Sequence, residues 1–158
     1  MNPSVRIRDF REEDAAVLAR LFFDTVRTVN LGDYSQEQVE AWAPEVPDAA
    51  AWRRRMAARH TLVAEDETGL VGFIELEEHG TLDMLYCRAD RVRQGVGTAL
   101  YAALEARARR LGLKRLFTAA SLTARPFFER QGFHVTRQQT VERQGVQLPQ
   151  FAMEKRWP

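Results

Sequence analysis

With 158 residues, 45% of them apolar and 28% charged, the chain has the size and composition of one folded domain, residues 1–158, which excludes a multidomain assembly and a disordered or fibrous protein. Its 23 basic and 22 acidic groups leave a formal charge of +1, so no global field draws it to DNA, RNA or an anionic membrane, and any anion site must be local. One cysteine, Cys87, and three scattered histidines, His60, His79 and His134, rule out an internal disulfide and argue against a metal site. With no apolar leader core and no apolar run near the ~20 residues that cross a bilayer, the expected setting is cytoplasmic.

Val5 to Phe10 alternates apolar and charged residues as a half-buried strand does, and Arg11-Glu12-Glu13-Asp14 places acids in the first turn of a helix. That helix carries Val17, Leu18, Leu21, Phe22 and Val26 on one stripe and ends near the turn-rich Asn30-Leu31-Gly32-Asp33-Tyr34. Ser35 with Gln38 forms a capping box for a short helix through Trp42, and Asp48 caps another from Ala49 to Arg59. Three strands follow, Thr61 to Asp66, Leu70 to Glu78 and Thr81 to Arg88, joined by tight turns into an antiparallel meander. Thr98 to Arg110 is a strong helix former stopped by Gly112, and Arg115 to Ala120 is a further strand, so this stretch is a βαβ crossover with parallel flanking strands. A short helix, Thr123 to Arg130, and two strands around Arg143-Gln144-Gly145 complete an α+β fold on a mixed sheet of about seven strands.

The segment that carries chemistry is Arg91-Val92-Arg93-Gln94-Gly95-Val96-Gly97-Thr98, between a strand and a helix. Two glycines one residue apart let the backbone approach a ligand, and the free amides of a helix N-terminus attract phosphate. Arg88, Arg91 and Arg93 add local positive charge. A plain strand-to-helix turn, with glycines serving packing alone, uses the same residues. A Walker loop needs Lys then Ser/Thr after its last glycine, and a dinucleotide fingerprint needs a small residue at Leu100, so ATP hydrolysis and NAD binding are not supported.

The segment Val92-Arg93-Gln94-Gly95-Val96-Gly97 resembles the Gln/Arg-x-x-Gly-x-Gly/Ala signature of the GNAT superfamily of N-acetyltransferases, with Val92 in the Gln/Arg place. Ser121-x-x-Ala124, Phe127-Phe128-Glu129-Arg130-Gln131-Gly132-Phe133 and the final strand pair extend the likeness over nearly the whole chain. The resemblance implies acetyl-coenzyme A as cosubstrate, lying in a V where the fourth and fifth strands separate. It implies pantetheine bonding at Leu85 and Cys87, pyrophosphate on the amides around Arg93, Gln94, Gly95, Val96, Gly97 and Thr98, and further cofactor contacts at Ser121 and Phe128. Phe128 stands where the family often has a thiolate-protonating tyrosine, so that role does not carry over.

An amine of pKa ~10.4 is only about 0.04% neutral at pH 7, so a base is useful. Asp83, in the otherwise apolar Leu82 to Leu85 stretch, is the first candidate and Glu75 the second. If His79-Gly80 is a two-residue loop, Glu75 pairs with Met84 and points away from Asp83, whereas a three-residue loop puts both on one face. Tyr86 is a candidate acid, against a purely packing role. By analogy, the first two helices and their connection form the acceptor pocket, with Asp33, Tyr34 and Trp42 as contacts and Asp33 and Glu37 attracting a cationic amine. The expected acceptor is a small amine metabolite or antibiotic-like molecule. A protein or aminoacyl-tRNA amino group, a non-catalytic acyl-coenzyme A binding module and a homodimeric state stay open.

Overall fold

The computed structural model describes residues 4–158. Its elements run β1 Arg6–Asp9, α1 Ala15–Thr28, α2 Gln36–Trp42, α3 Ala49–Ala57, β2 His60–Asp66, β3 Gly69–Leu76 and β4 Thr81–Cys87, then α4 Val96–Arg110, β5 Arg115–Ser121, α5 Arg125–Arg130, β6 His134–Arg143 and β7 Val146–Arg156. Short single turns lie between several of them. The caps form as the sequence dictates: the Ser35 hydroxyl accepts from the Gln38 amide, and the Asp48 carboxylate accepts from the Ala51 amide at 2.9 Å. Helix α4 begins two residues earlier than its strong formers suggest, because Gly95 adopts φ +88° and hands the chain to Val96 already wound.

The sheet order is β1-β2-β3-β4-β5-β7-β6, antiparallel at every pairing except β4–β5. Strand alternation divides the core between two faces. Leu62, Ile74, Leu82 and Phe133 pack with Leu100 and Leu104 of α4, while Val63 and Phe73 pack with Leu18, Phe22 and Val26 of α1 and Met56 of α3. Burial of each such side chain contributes about 1.5–3 kcal/mol, so the sheet is held from both sides rather than by pairing alone. Among the described residues no helix is long and apolar enough to cross a membrane.

The turn between β3 and β4 decides the geometry of everything downstream. The Glu77 amide bonds the Thr81 carbonyl at 2.8 Å and the Gly80 amide bonds the Glu77 carbonyl at 3.0 Å, so the loop is Glu78 to Gly80, three residues rather than His79-Gly80 alone. Gly80 sits at φ +105°, and a Cβ there would lie 2.8 Å from the Arg115 carbonyl oxygen, so only glycine allows β5 to approach. Leu76 then pairs with Leu82 but Glu75 pairs with Met84, leaving Asp83 as the extra residue of a β-bulge.

Candidate functional site

Beyond that bulge β4 turns away from β5. Their parallel pairing is confined to Thr81 with Phe117 and Leu82 with Thr118, and the Thr118 hydroxyl donates to the Leu82 carbonyl at 2.9 Å, closing the apex of a fork. The Arg88 amide bonds the Val71 carbonyl at 2.8 Å. Because hydrogen-bonded and non-bonded pairs alternate along an antiparallel ladder, the backbone groups of Leu85 and Cys87 face the fork instead of β3. The Thr25 hydroxyl takes the Cys87 carbonyl at 2.8 Å. The Leu85 amide and carbonyl and the Cys87 amide are left to act as a strand edge.

At one mouth of the fork stands the N-terminus of α4. Ala99 is the first residue bonded back to Gly95, at 3.0 Å, and no side chain caps the helix, so the amides of Val96, Gly97 and Thr98 have no partner within it. Burial pushes the thiol of Cys87, which packs beside Gly97, up to about 11. Arg93, with φ +62°, and Gly95 fold the preceding loop back on itself, the αL geometry of an anion-binding nest. The Val96 side chain is buried in the core, and Gln94 turns its amide to the Asp90 carbonyl, so these two residues offer backbone rather than side chain. The expected ring of flanking arginines is smaller than the sequence suggests: Arg88 is paired with Asp90 at 2.6 Å and Arg91 with Asp66 at 3.2 Å. Arg93 makes no ion pair among the described residues.

A continuous cavity of 1190 Å³ runs from this helix end through the fork to the α1, α2 and α3 side of the sheet. The arm expected to take the cofactor is lined by Gly95, Gly97, Thr98, Ser121 and Phe127, and by Arg130 at the end of α5. The Ser121 hydroxyl accepts from the Ala124 amide at 3.0 Å and so shapes the turn into α5. Phe128 also lines the cavity, but it is 2% exposed and its ring centroid lies 5.3 Å from that of Phe127 and 5.1 Å from that of Phe133.

The two carboxylates singled out by the sequence come together with two arginines that it did not identify. Glu75 is fully buried, and Arg59 Nη1 and Arg55 Nη2 donate to its Oε1 at 2.8 and 3.0 Å. Asp83, the bulge residue, takes Arg59 Nη1 at 2.8 Å and Arg55 Nη2, both on Oδ2. Its Oδ1 remains open, and the residue lines the cavity at the fork. The three-residue loop therefore puts both acids on one side, as that alternative requires, while the bulge restores the Glu75–Met84 pairing. Arg55 lies on α3 and Arg59 two residues past its end, and this basic pair at a spacing of four, in a stretch read as helix through Arg59, was the signal available in the sequence.

Tyr86 lines the cavity one residue past Leu85, its ring edge against Phe22 at 5.0 Å. Burial pushes its phenol well above the usual range. On the acceptor side Tyr34 and Trp42 also line the cavity, but the Tyr34 hydroxyl donates to the Pro149 carbonyl at 2.7 Å and accepts from the Leu122 amide at 2.9 Å. It is a tie between distant segments, not a free contact. Asp33 and Glu37 are exposed and absent from the lining, so they do not supply the expected attraction for a cationic amine. Arg143, Leu148 and Gln150 of the β6–β7 hairpin line this arm instead.

Residues 30–156 match the acetyltransferase (GNAT) domain family. The chain is 34% identical over 150 residues, 95% of each chain, to the uncharacterized N-acetyltransferase YafP of Escherichia coli K12. A crystal structure of a GCN5-related N-acetyltransferase from Rhodopseudomonas palustris superimposes with a TM-score of 0.93 at 35% identity, covering 99% of this chain and 98% of that one. At 22% identity, a Thermoplasma acidophilum PaiA N-acetyltransferase solved with coenzyme A shares the fold, with a TM-score of 0.80 and coverage of 98% and 100%. With the forked sheet and the uncapped glycine-led helix at its mouth, these matches establish that the chain belongs to the GNAT family of N-acetyltransferases, whose acetyl donor is acetyl-coenzyme A.

Proposed function

We propose that this N-acetyltransferase moves an acetyl group directly to the amino group of a small molecule, with both substrates bound together in the forked cavity. The observation that carries this reading is continuity: one cavity joins the α4 amides, the fork and the acceptor arm, so donor and acceptor meet without an acyl-protein relay. The cosubstrate brings the acetyl group as a thioester. The amides of Val96, Gly97 and Thr98, with Arg93, hold its pyrophosphate, and the free edge at Leu85 and Cys87 pairs with pantetheine amides as a missing strand would. Room for the donor is compatible with the observed fit, since even a Cβ at Gly97 would meet nothing closer than the Phe127 ring at 3.5 Å.

Asp83 Oδ1, the open oxygen at the fork, receives the amine's proton as the C–N bond forms and the C–S bond breaks. Arg55 and Arg59 hold Oδ2, so the carboxylate is turned toward the cavity. Tyr86, kept protonated by burial, donates a hydrogen bond to the departing thiolate, whose proton returns from solvent. Cys87 is not the acyl carrier in this scheme, because its thiol is pushed up to about 11 and holds its proton at working pH.

The test is thiol release from acetyl-coenzyme A across a panel of amines, peptides and aminoacyl-tRNA. Asp83→Asn is expected to lower turnover ~100-fold near neutral pH, with recovery toward pH 10 as the free-amine fraction rises and with coenzyme A affinity unchanged. Unchanged turnover would remove Asp83 from the proton path. Tight coenzyme A binding without thiol release to any acceptor would favour a non-catalytic acyl-coenzyme A binding module, the alternative that Phe128 in the tyrosine place supports.

A further inference from the structure

The acceptor arm has a distribution of charge that the acetyl-transfer reaction does not require. Three ionised side chains line it, Arg55, Asp83 and Arg143. Arg55 and Asp83 are bonded to each other, and Arg55 also donates through Nε and Nη2 to buried Glu75, so this pair presents no net charge to a ligand. Arg143 has no carboxylate partner among the described residues, its Nη1 bonding only the Glu142 carbonyl at 3.1 Å. The remaining arginines of the cavity are Arg93, in the loop before α4, and Arg130, at the end of α5.

The position of Arg143 is built into the hairpin. Gln144 and Gly145 both have positive φ, +53° and +76°, the pattern of a tight two-residue turn whose twist matches the strands. Arg143 pairs with Val146 and shares its strand face with Val141, which pairs with Leu148. Val141 and Leu148 pack into the cluster of Phe22, Tyr34 and Trp52, so the same face carries Arg143 to the rim of the acceptor arm. The Gln38 side chain bonds the Gln147 carbonyl at 3.0 Å and Tyr34 bonds the Pro149 carbonyl, which fix the hairpin against α2. An unpaired guanidinium carried by a fixed hairpin to the mouth of an aromatic pocket is suited to a carboxylate, which it binds in a fork.

We infer that the acceptor is an amine with an apolar or aromatic body whose far end carries a carboxylate, which binds Arg143, because Arg143 pairs with Val146, seven residues along β7 from the Met153 that is level with the fork apex. The inference rests on the acetyltransferase reading above. The body lies among Phe22, Trp42, Trp52 and Leu148, and the amino group reaches Asp83 Oδ1. Polycationic acceptors are disfavoured, since the arm offers no unpaired carboxylate and one unpaired arginine.

The experiment compares matched pairs that hold amine and carboxylate at opposite ends of the body, 4-(aminomethyl)benzoate with benzylamine, 4-(2-aminoethyl)benzoate with phenethylamine and 6-aminohexanoate with pentylamine, by thiol release from acetyl-coenzyme A. The expected result is a kcat/KM higher by ~10-fold or more for the carboxylated member of at least one pair, carried mainly by KM. Arg143→Ala should erase that preference by raising KM, Arg143→Lys should keep part of it, and neither should alter the melting-temperature rise given by coenzyme A. Equal or better turnover of the decarboxylated members would overturn the inference while leaving the acetyltransferase reading in place. Coenzyme A binding without turnover of any member, carboxylated or not, would overturn the inference; the same silence from every other acceptor tested would overturn both.

Discussion

The two arms of the cavity are made in opposite ways. The cofactor arm is largely backbone: the uncapped amides of α4, the free edge at Leu85 and Cys87, and a loop wound by Arg93 and Gly95. The acceptor arm is made of side chains brought from α1, α2, α3, β4 and the β6–β7 hairpin. A backbone site tolerates change in most neighbouring side chains and fails when something blocks the amides. A side-chain site fails piece by piece. The difference implies that one arm is generic to the fold and the other particular to this chain.

The largest effect follows from placing a charge on the backbone arm. Gly97→Glu aims a carboxylate at the amides proposed to receive pyrophosphate, and acetyl-coenzyme A should no longer raise the melting temperature. Gly97→Ala should keep most of the rise, because its Cβ meets Phe127 at 3.5 Å and the Cys87 sulfur at 3.7 Å, ordinary contact distances. Equal loss in both variants would mean that volume, not charge, governs this arm.

On the side-chain arm the effects are smaller and structural. Tyr34→Phe removes the donor to the Pro149 carbonyl and the acceptor for the Leu122 amide, and should lower stability by about 1–3 kcal/mol in denaturant melts. If it lowers turnover with no loss of stability, Tyr34 touches the acceptor after all.

The smallest expected effect concerns Cys87, where the arms meet. Its thiol is pushed up to about 11, above the ordinary range near 8.5, so the folded chain holds this proton more tightly than the unfolded chain. Its contribution to stability is therefore complete below about pH 8.5 and is lost as pH rises toward 11. Cys87→Ser should flatten that part of the stability profile, and wild-type Cys87 should alkylate slowly at pH 8.

The same division explains what could be read from the sequence. The glycine pair, the helix after it and the strand alternation are local, so the βαβ unit, the uncapped helix start and the antiparallel meander follow from neighbouring residues. The Asp83 bulge and the Arg55–Glu75–Asp83–Arg59 cluster are not local. They depend on a loop one residue longer than expected and on α3 packing over the sheet, which spacing along one strand does not encode. Asp33 and Glu37 show the converse: close in sequence to the pocket, they face outward because Tyr34 and Val39 occupy the inward side of their segment. Arg143 was invisible for the same reason, since only the fixed hairpin brings it across the molecule to the rim.

The claim at the centre of this account is that donor and acceptor occupy the two arms at once and react directly. It is tested by initial velocities measured over a grid of acetyl-coenzyme A and acceptor concentrations. The account predicts reciprocal plots that intersect, with Cys87→Ser retaining turnover. Parallel plots, together with an acetyl group found on Cys87 after exposure to acetyl-coenzyme A alone, would contradict it.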